Sequence, residues 1–156
     1  MMAQGHRHRR LRPGLALALG LFTAFLWSGA VFGQQIASPP KGSALRAEVL
    51  DTLRPSIEKV TGGPVLFVVN TLHVMGPWAY VDARPERPNG QPVDWRQTRF
   101  REAYDHGAFS GLVLALLLRR QDGSWIAVGT FIGPTDVAWY DWVDTYKLPE
   151  AFFKGN

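Results

Sequence analysis

Three acids near the C-terminus offer the first prospect of chemistry. Asp141 and Asp144 stand three residues apart, so on a helix they share one face, and Asp136 lies just upstream. A hydrolase can use two carboxylates whose surroundings push their pKa values apart, and Asp136 with Asp141 is the pair for that role. The same residues also suit a structural part. Asp136, or Thr135 beside it, can cap a helix and favour its positive end. Asp141 and Asp144 then cover a solvated face, with Lys147 balancing the other end. Ser110, Asp105 and His106 have the residue types of a nucleophilic triad. Crowded into one loop, they cannot converge as residues from separated elements do, and Asp105-His106-Gly107 reads as a turn. There is no Gly-x-Ser-x-Gly elbow and no cysteine.

Metal binding has little to draw on. Beyond the N-terminal segment the chain has two histidines, His73 and His106, in different elements. A structural zinc site wants three or four nitrogen or sulfur ligands, usually in close-spaced pairs. His6 and His8 have pair spacing but sit in the basic N-terminal segment. No metal or other cofactor is expected.

Aromatic and basic residues carry more information. Trp78, Trp95, Trp125, Trp139 and Trp142, with Tyr80, Tyr104, Tyr140 and Tyr146, are many for a small domain. Each large ring buries on the order of 150–250 Å², so most belong in a core. Two or three of them could instead line an apolar pocket for a sugar ring or another small ligand. Arg84, Arg87, Arg96, Arg99 and Arg101 cluster in one polar stretch against Glu86 and Asp94. A solvated loop accounts for them; a site for an acidic partner or anionic glycan is the sharper alternative, because loops on a rigid scaffold often carry function. The candidate binding residues are therefore Trp78, Arg96, Arg99, Arg101, Asp136 and Trp139.

The elements that must position these residues follow from periodicity and turn chemistry. Ser43 suits an N-cap, and Leu45, Val49, Leu53 and Ile57 recur every four residues as one apolar stripe. The pattern predicts a helix from about Ser43 to Leu53, then a kink or a second short turn begun by Pro55. Gly62-Gly63-Pro64 ends it. Val65 to Met75 and Trp78 to Arg84 read as strands joined at Gly76-Pro77. Pro85 to Gly111 is a long polar connection with a turn at Asn89-Gly90 and a short helix near Trp95 to Tyr104. Leu112 to Arg119 is a strand or a buried helix; the hairpin signal Asp122-Gly123 and the strand Trp125 to Ile132 favour β. A last helix of about ten residues is capped by Thr135 or Asp136, and Ala151-Phe152-Phe153 tucks back onto the body. The fold class expected is α+β: an N-terminal helix packed on a four-stranded antiparallel sheet, with a short C-terminal helix.

The N-terminal segment sets the compartment. Met1 to Gly14 holds His6, Arg7, His8, Arg9, Arg10 and Arg12 and no acid, and an apolar run follows from Leu15 to Gly33. Basic start, apolar core and small-residue exit form the layout of an export signal. Ser28 and Ala30 suit cleavage after Ala30. The run is longer than the roughly 7–15 residues of most cleaved signals and approaches the roughly 20 that span a bilayer. The domain is thus periplasmic or secreted after cleavage, or anchored to the inner membrane by residues 15–33. Residues 34–42 read as a tether and 43–156 as a single domain. Of the 17 basic residues, Arg7, Arg9, Arg10 and Arg12 lie in this segment, and all 13 acids lie after it. The exported part is therefore formally neutral, which removes the main argument for nucleic acid as partner. A membrane is met only through the N-terminal segment, if it is uncleaved. Without cysteines, apolar burial must hold the fold.

Leu53-Arg54-Pro55, Trp78-Ala79-Tyr80-Val81, Leu116-Leu117-Leu118-Arg119-Arg120, Asp122-Gly123-Ser124-Trp125, and Gly133-Pro134-Thr135-Asp136 followed by Trp139 and Trp142 resemble a group of small exported bacterial proteins of unassigned activity. The layout is also similar to the cystatin-like rolls, in which a sheet curls around one helix. The resemblance implies export and a compact α+β domain, and it carries no catalytic residue. The expected function is a non-catalytic envelope module that binds a partner protein or small ligand. The alternative is an envelope or cell-wall hydrolase using carboxylates.

Overall fold

The computed structural model describes residues 35–155; residues 1–33, expected to be an export signal, lie outside them. Helix α1 (Ala44–Thr61) precedes strands β1 (Leu66–Met75) and β2 (Trp78–Glu86). A connection follows with a 3-10 turn (Trp95–Gln97) and α2 (Arg101–Asp105). Then come β3 (Val113–Arg119), β4 (Trp125–Ile132), α3 (Tyr140–Tyr146) and a 3-10 turn (Glu150–Phe152). The four strands form one antiparallel sheet in the order β1-β2-β3-β4. This is the α+β class expected, with α1 before the sheet and a short helix after it.

Helix α1 does not stop at Leu53. It runs unbroken to Thr61 with Pro55 inside it. Proline removes one amide and leaves the carbonyl of Asp51 without its helical donor, but Asp51 and Pro55 are both exposed, so water can reach that carbonyl. The stripe continues beneath them: Val49, Leu53 and Ile57 are each fully buried, on both sides of the proline. Burial of Ile57 outweighs the lost hydrogen bond. The Ser43 side chain caps the start by accepting from Arg46 N, and Gly62 ends the helix at φ 73 with its amide on Glu58 O at 2.9 Å.

The sheet is covered on both faces by different material. Toward α1, Leu72, Ala79, Val81, Ala83, Ala115, Leu117 and Trp125 meet Val49 and Leu53. On the back face, Met75, Tyr80, Leu114 and Leu116 meet the C-terminal segment: Trp142, Leu148, Phe152 and Phe153. Because β3 is covered on both sides, Val113 to Leu117 are all buried, which explains an apolar run without alternation. The Trp142 ring stacks on Phe131 with centroids 4.9 Å apart and lies over Gly129, where a Cβ would come within 2.8 Å of the indole. Only glycine admits so close an approach.

Two further expectations are corrected. The last helix begins at Tyr140 with Trp139 at its N-cap, so neither Thr135 nor Asp136 caps it. The preceding residues serve to bring Trp139 flat onto Phe153, 5.4 Å between centroids and 5° between planes. The expected helix near Trp95 to Tyr104 is split. Thr98 is extended (φ -114, ψ 174) and its hydroxyl donates to Trp95 O and accepts from Phe100 N, taking backbone groups a helix would use.

The long connection is folded rather than loose. Trp95 and Phe109 are buried with Val93 against Ile57, Val65 and Val113. Trp95, Phe100 and Phe109 pack ring to ring at 4.8–6.1 Å. Arg87 ties the connection to α1, donating to Thr61 O at 2.6 Å and to Pro64 O at 3.2 Å at the helix C-terminus. Residues 35–42, read as a tether, are also engaged: Ala37 and Val74 exchange two backbone bonds of 2.9 and 2.7 Å, and Pro39 is buried.

Candidate functional site

A groove runs between α1 and the edge strand β1. Its helix side is built by a row of residues one step round from the buried stripe. Arg46, Leu50 and Arg54 recur every fourth residue, with Ala47 and Asp51 beside them. Phe67 and Val69, the α1-facing residues of the first half of β1, form the other side. Lys41 and Gly42 close one end, where Gly42 takes φ 85 in the turn that leads into the helix. The volume is about 510 Å³.

The charge of the groove is one-sided. Lys41, Arg46 and Arg54 face it, and Asp51 is the acid among its lining residues. Asp51 is committed to Arg54, with Oδ1 accepting from Nη2 at 2.8 Å. Arg54 is held in place on two further sides: Nη1 donates to Val65 O at 2.6 Å, and the guanidinium lies 5.7 Å from the Phe67 ring centroid. Arg46 is steadied more loosely by Pro39 O at 3.3 Å. The first turn of α1 contains no acid, so the positive end of the helix dipole is not offset there. An apolar floor of Leu50, Phe67 and Val69 under these cations can hold an anionic group that also brings apolar surface.

Most residues singled out from the sequence have structural work instead. Trp78 packs on Tyr146 with centroids 5.1 Å apart, and Trp139 on Phe153; both belong to the back-face cluster. Arg96 Nε donates to Asp105 Oδ1 at 2.8 Å and its guanidinium lies 5.0 Å from the Tyr104 ring centroid. That hydrogen bond and the charge of Asp105 raise the pKa of Arg96 further. Arg101 reaches the other oxygen of Asp105 at 3.8 Å. Arg99 lies over Phe100 and lines a second cleft of about 340 Å³ beside α1 and β4, with Ser56, Val60 and Thr130. Asp136, Asp141 and Asp144 are all exposed. Thus Trp78 and Trp139 share one cluster, Arg96 and Arg101 share one acid, and the six candidates do not form one site.

The other chemical prospects resolve in the same way. The Ser110 hydroxyl accepts from Leu112 N at 3.2 Å, while Asp105 is taken by the two arginines. His73 is buried, 4% exposed, with Nδ1 3.0 Å from Phe152 O; a carbonyl can only accept, so Nδ1 carries the proton. Among the described residues there is no group of three or more His, Cys, Asp or Glu side chains that could hold a metal ion, and no helix long and apolar enough to cross a membrane. Comparison with protein families, with curated proteins and with solved structures finds no match to this chain.

The groove residues were legible only in part. Lys41 lies in the segment expected as a tether, and neither Arg46 nor Arg54 belongs to a motif with a chemistry of its own. The available signal was spacing: Arg46, Leu50 and Arg54 recur every fourth residue beside the stripe, and Lys41 lies just before the helix.

Proposed function

We propose that the protein is a non-catalytic binding module of the bacterial cell envelope, and that it holds an anionic partner in the groove between α1 and β1. The groove itself carries this reading: Lys41 and Arg46, which have no acidic partner among the described residues, stand over an apolar floor beside the Arg54–Asp51 pair. Export is proposed from the basic start and apolar run of residues 1–33, which places the module and its partner outside the cytoplasm. The aromatic surplus, the other possible source of a pocket, is largely consumed in packing: Trp78, Tyr80, Trp139, Trp142 and Tyr146 on the back face, Trp125 toward α1, and Trp95 and Tyr104 under the long connection.

The test is native mass spectrometry on the full-length chain recovered gently from its host's envelope. It is run beside the double variant Lys41→Glu/Arg46→Glu recovered in the same way. The expected result is added mass on the wild type that is missing from the variant. The same added mass on both, or none on either, rejects the groove as the binding site.

A further inference from the structure

The groove is bounded by a sheet edge, and the first part of that edge is open. β1 is the first strand of the order β1-β2-β3-β4, so its outer side has no strand partner. Exposed edges are usually protected by lysine or proline on the strand, or by a bulge. Leu66–Met75 contains neither lysine nor proline. Its one irregularity is a register shift between Val69 and Thr71. Past that shift the edge is already used: Ala37 exchanges both backbone bonds with Val74. Before it, from Leu66 to Val69, the edge borders the groove. There Leu66 is 50% and Val68 47% exposed, on the face opposite Phe67 and Val69.

We infer that an extended segment of another protein, alternating acidic and apolar residues, adds to the Leu66–Val69 edge of β1 as a further strand. This rests on the groove being the binding site and deepens that reading by naming the partner. A strand laid against this edge would send alternate side chains to opposite faces. One set enters the groove and meets Lys41 and Arg46, beside the Arg54–Asp51 pair, so these positions are acidic. The other set lies beside Leu66 and Val68 and covers them, so these are apolar. Main-chain bonds supply affinity and the alternating pockets supply selectivity. A second copy of the chain fits less well, because β1 itself contains no acid to meet Lys41 and Arg46.

The experiment uses the isotopically labelled full-length chain and a short capped peptide alternating valine and glutamate. Binding is followed by titration, and the β1 amides by hydrogen exchange in nuclear magnetic resonance spectra. Saturable, salt-sensitive binding is expected, with the outward-facing amides between Leu66 and Val69 exchanging slower by about tenfold or more. A valine–lysine peptide should not bind. Nor should the valine–glutamate peptide with N-methyl groups on alternate amides, which cannot form the ladder. Equal binding of either control overturns the inference. So does edge protection that rises with protein concentration alone, which would identify a second copy as the occupant. If the valine–glutamate peptide fails while the native mass of the host-derived protein still depends on Lys41 and Arg46, strand addition is wrong and the groove stands. If both fail, the groove reading falls as well.

Discussion

The back face of the sheet and the groove beside α1 use their side chains in opposite ways. The back face takes the residues that look functional by type, Trp78, Trp139 and Trp142 with Tyr80 and His73, and spends them on packing. The groove takes residues that look ordinary, two arginines on a helix flank and a lysine in the turn before it, and leaves the charge of Lys41 and Arg46 facing a cleft. A large aromatic is informative about burial before it is informative about ligands, since its area is most valuable when removed from water. A cation that faces a cleft without an acidic partner, as Lys41 and Arg46 do among the described residues, tells more about a partner.

This contrast can be broken most forcefully at Phe152. It is fully buried at the centre of the aromatic layer, and its carbonyl meets His73. Phe152→Ala should cost about 3–5 kcal/mol in denaturant unfolding. A cost under about 1 kcal/mol would mean that the back face is a loosely held pocket wall. A smaller effect is expected at Gly129, beneath the Trp142 indole. Gly129→Ala should destabilise by about 1–3 kcal/mol. Much of that loss should disappear in a Trp142→Leu background, as a double-mutant cycle on unfolding would show. Additive costs would mean that the close approach is not what requires glycine.

Alkaline pH sharpens the same comparison. Burial, and secondarily the charge of Asp82, push the Tyr80 phenol well above its ordinary value of 10.0. The unfolded chain ionises this tyrosine near that ordinary value while the folded chain keeps it protonated. Above it the unfolded state binds fewer protons, so stability falls as pH rises, by up to about 1.4 kcal/mol per pH unit from this one group. Below it the group contributes no pH dependence. Tyr80→Phe should therefore unfold with a shallower alkaline decline than the wild type in pH-dependent melting. Identical slopes would show that Tyr80 is accessible to water.

The fold was legible because its signals are local. The stripe Leu45, Val49, Leu53 and Ile57, the turns at Gly76-Pro77 and Asp122-Gly123, and the branched strands between them place the start of α1 and the four strands within a residue or two. What failed depended on tertiary packing. Pro55 looked like a helix end although the stripe continues to Ile57, because the local sequence does not show that full burial of Ile57 outweighs the hydrogen bond the proline removes. Asp136 looked like a cap because the pull of Phe153 on Trp139 acts from residues later in the chain. The groove was the least legible part. It exists only where a helix flank meets a sheet edge, and neither has a motif of its own.

The central claim is that binding lies in the groove and not in the aromatic layer. Its most direct test compares native mass spectra of two variants of the full-length chain recovered from the host envelope, Trp139→Leu and Lys41→Glu/Arg46→Glu. The account predicts that the Trp139 variant keeps its added mass and the groove variant loses it. Loss from the Trp139 variant alone, with the groove variant still loaded, would contradict the account and return the site to the tryptophans.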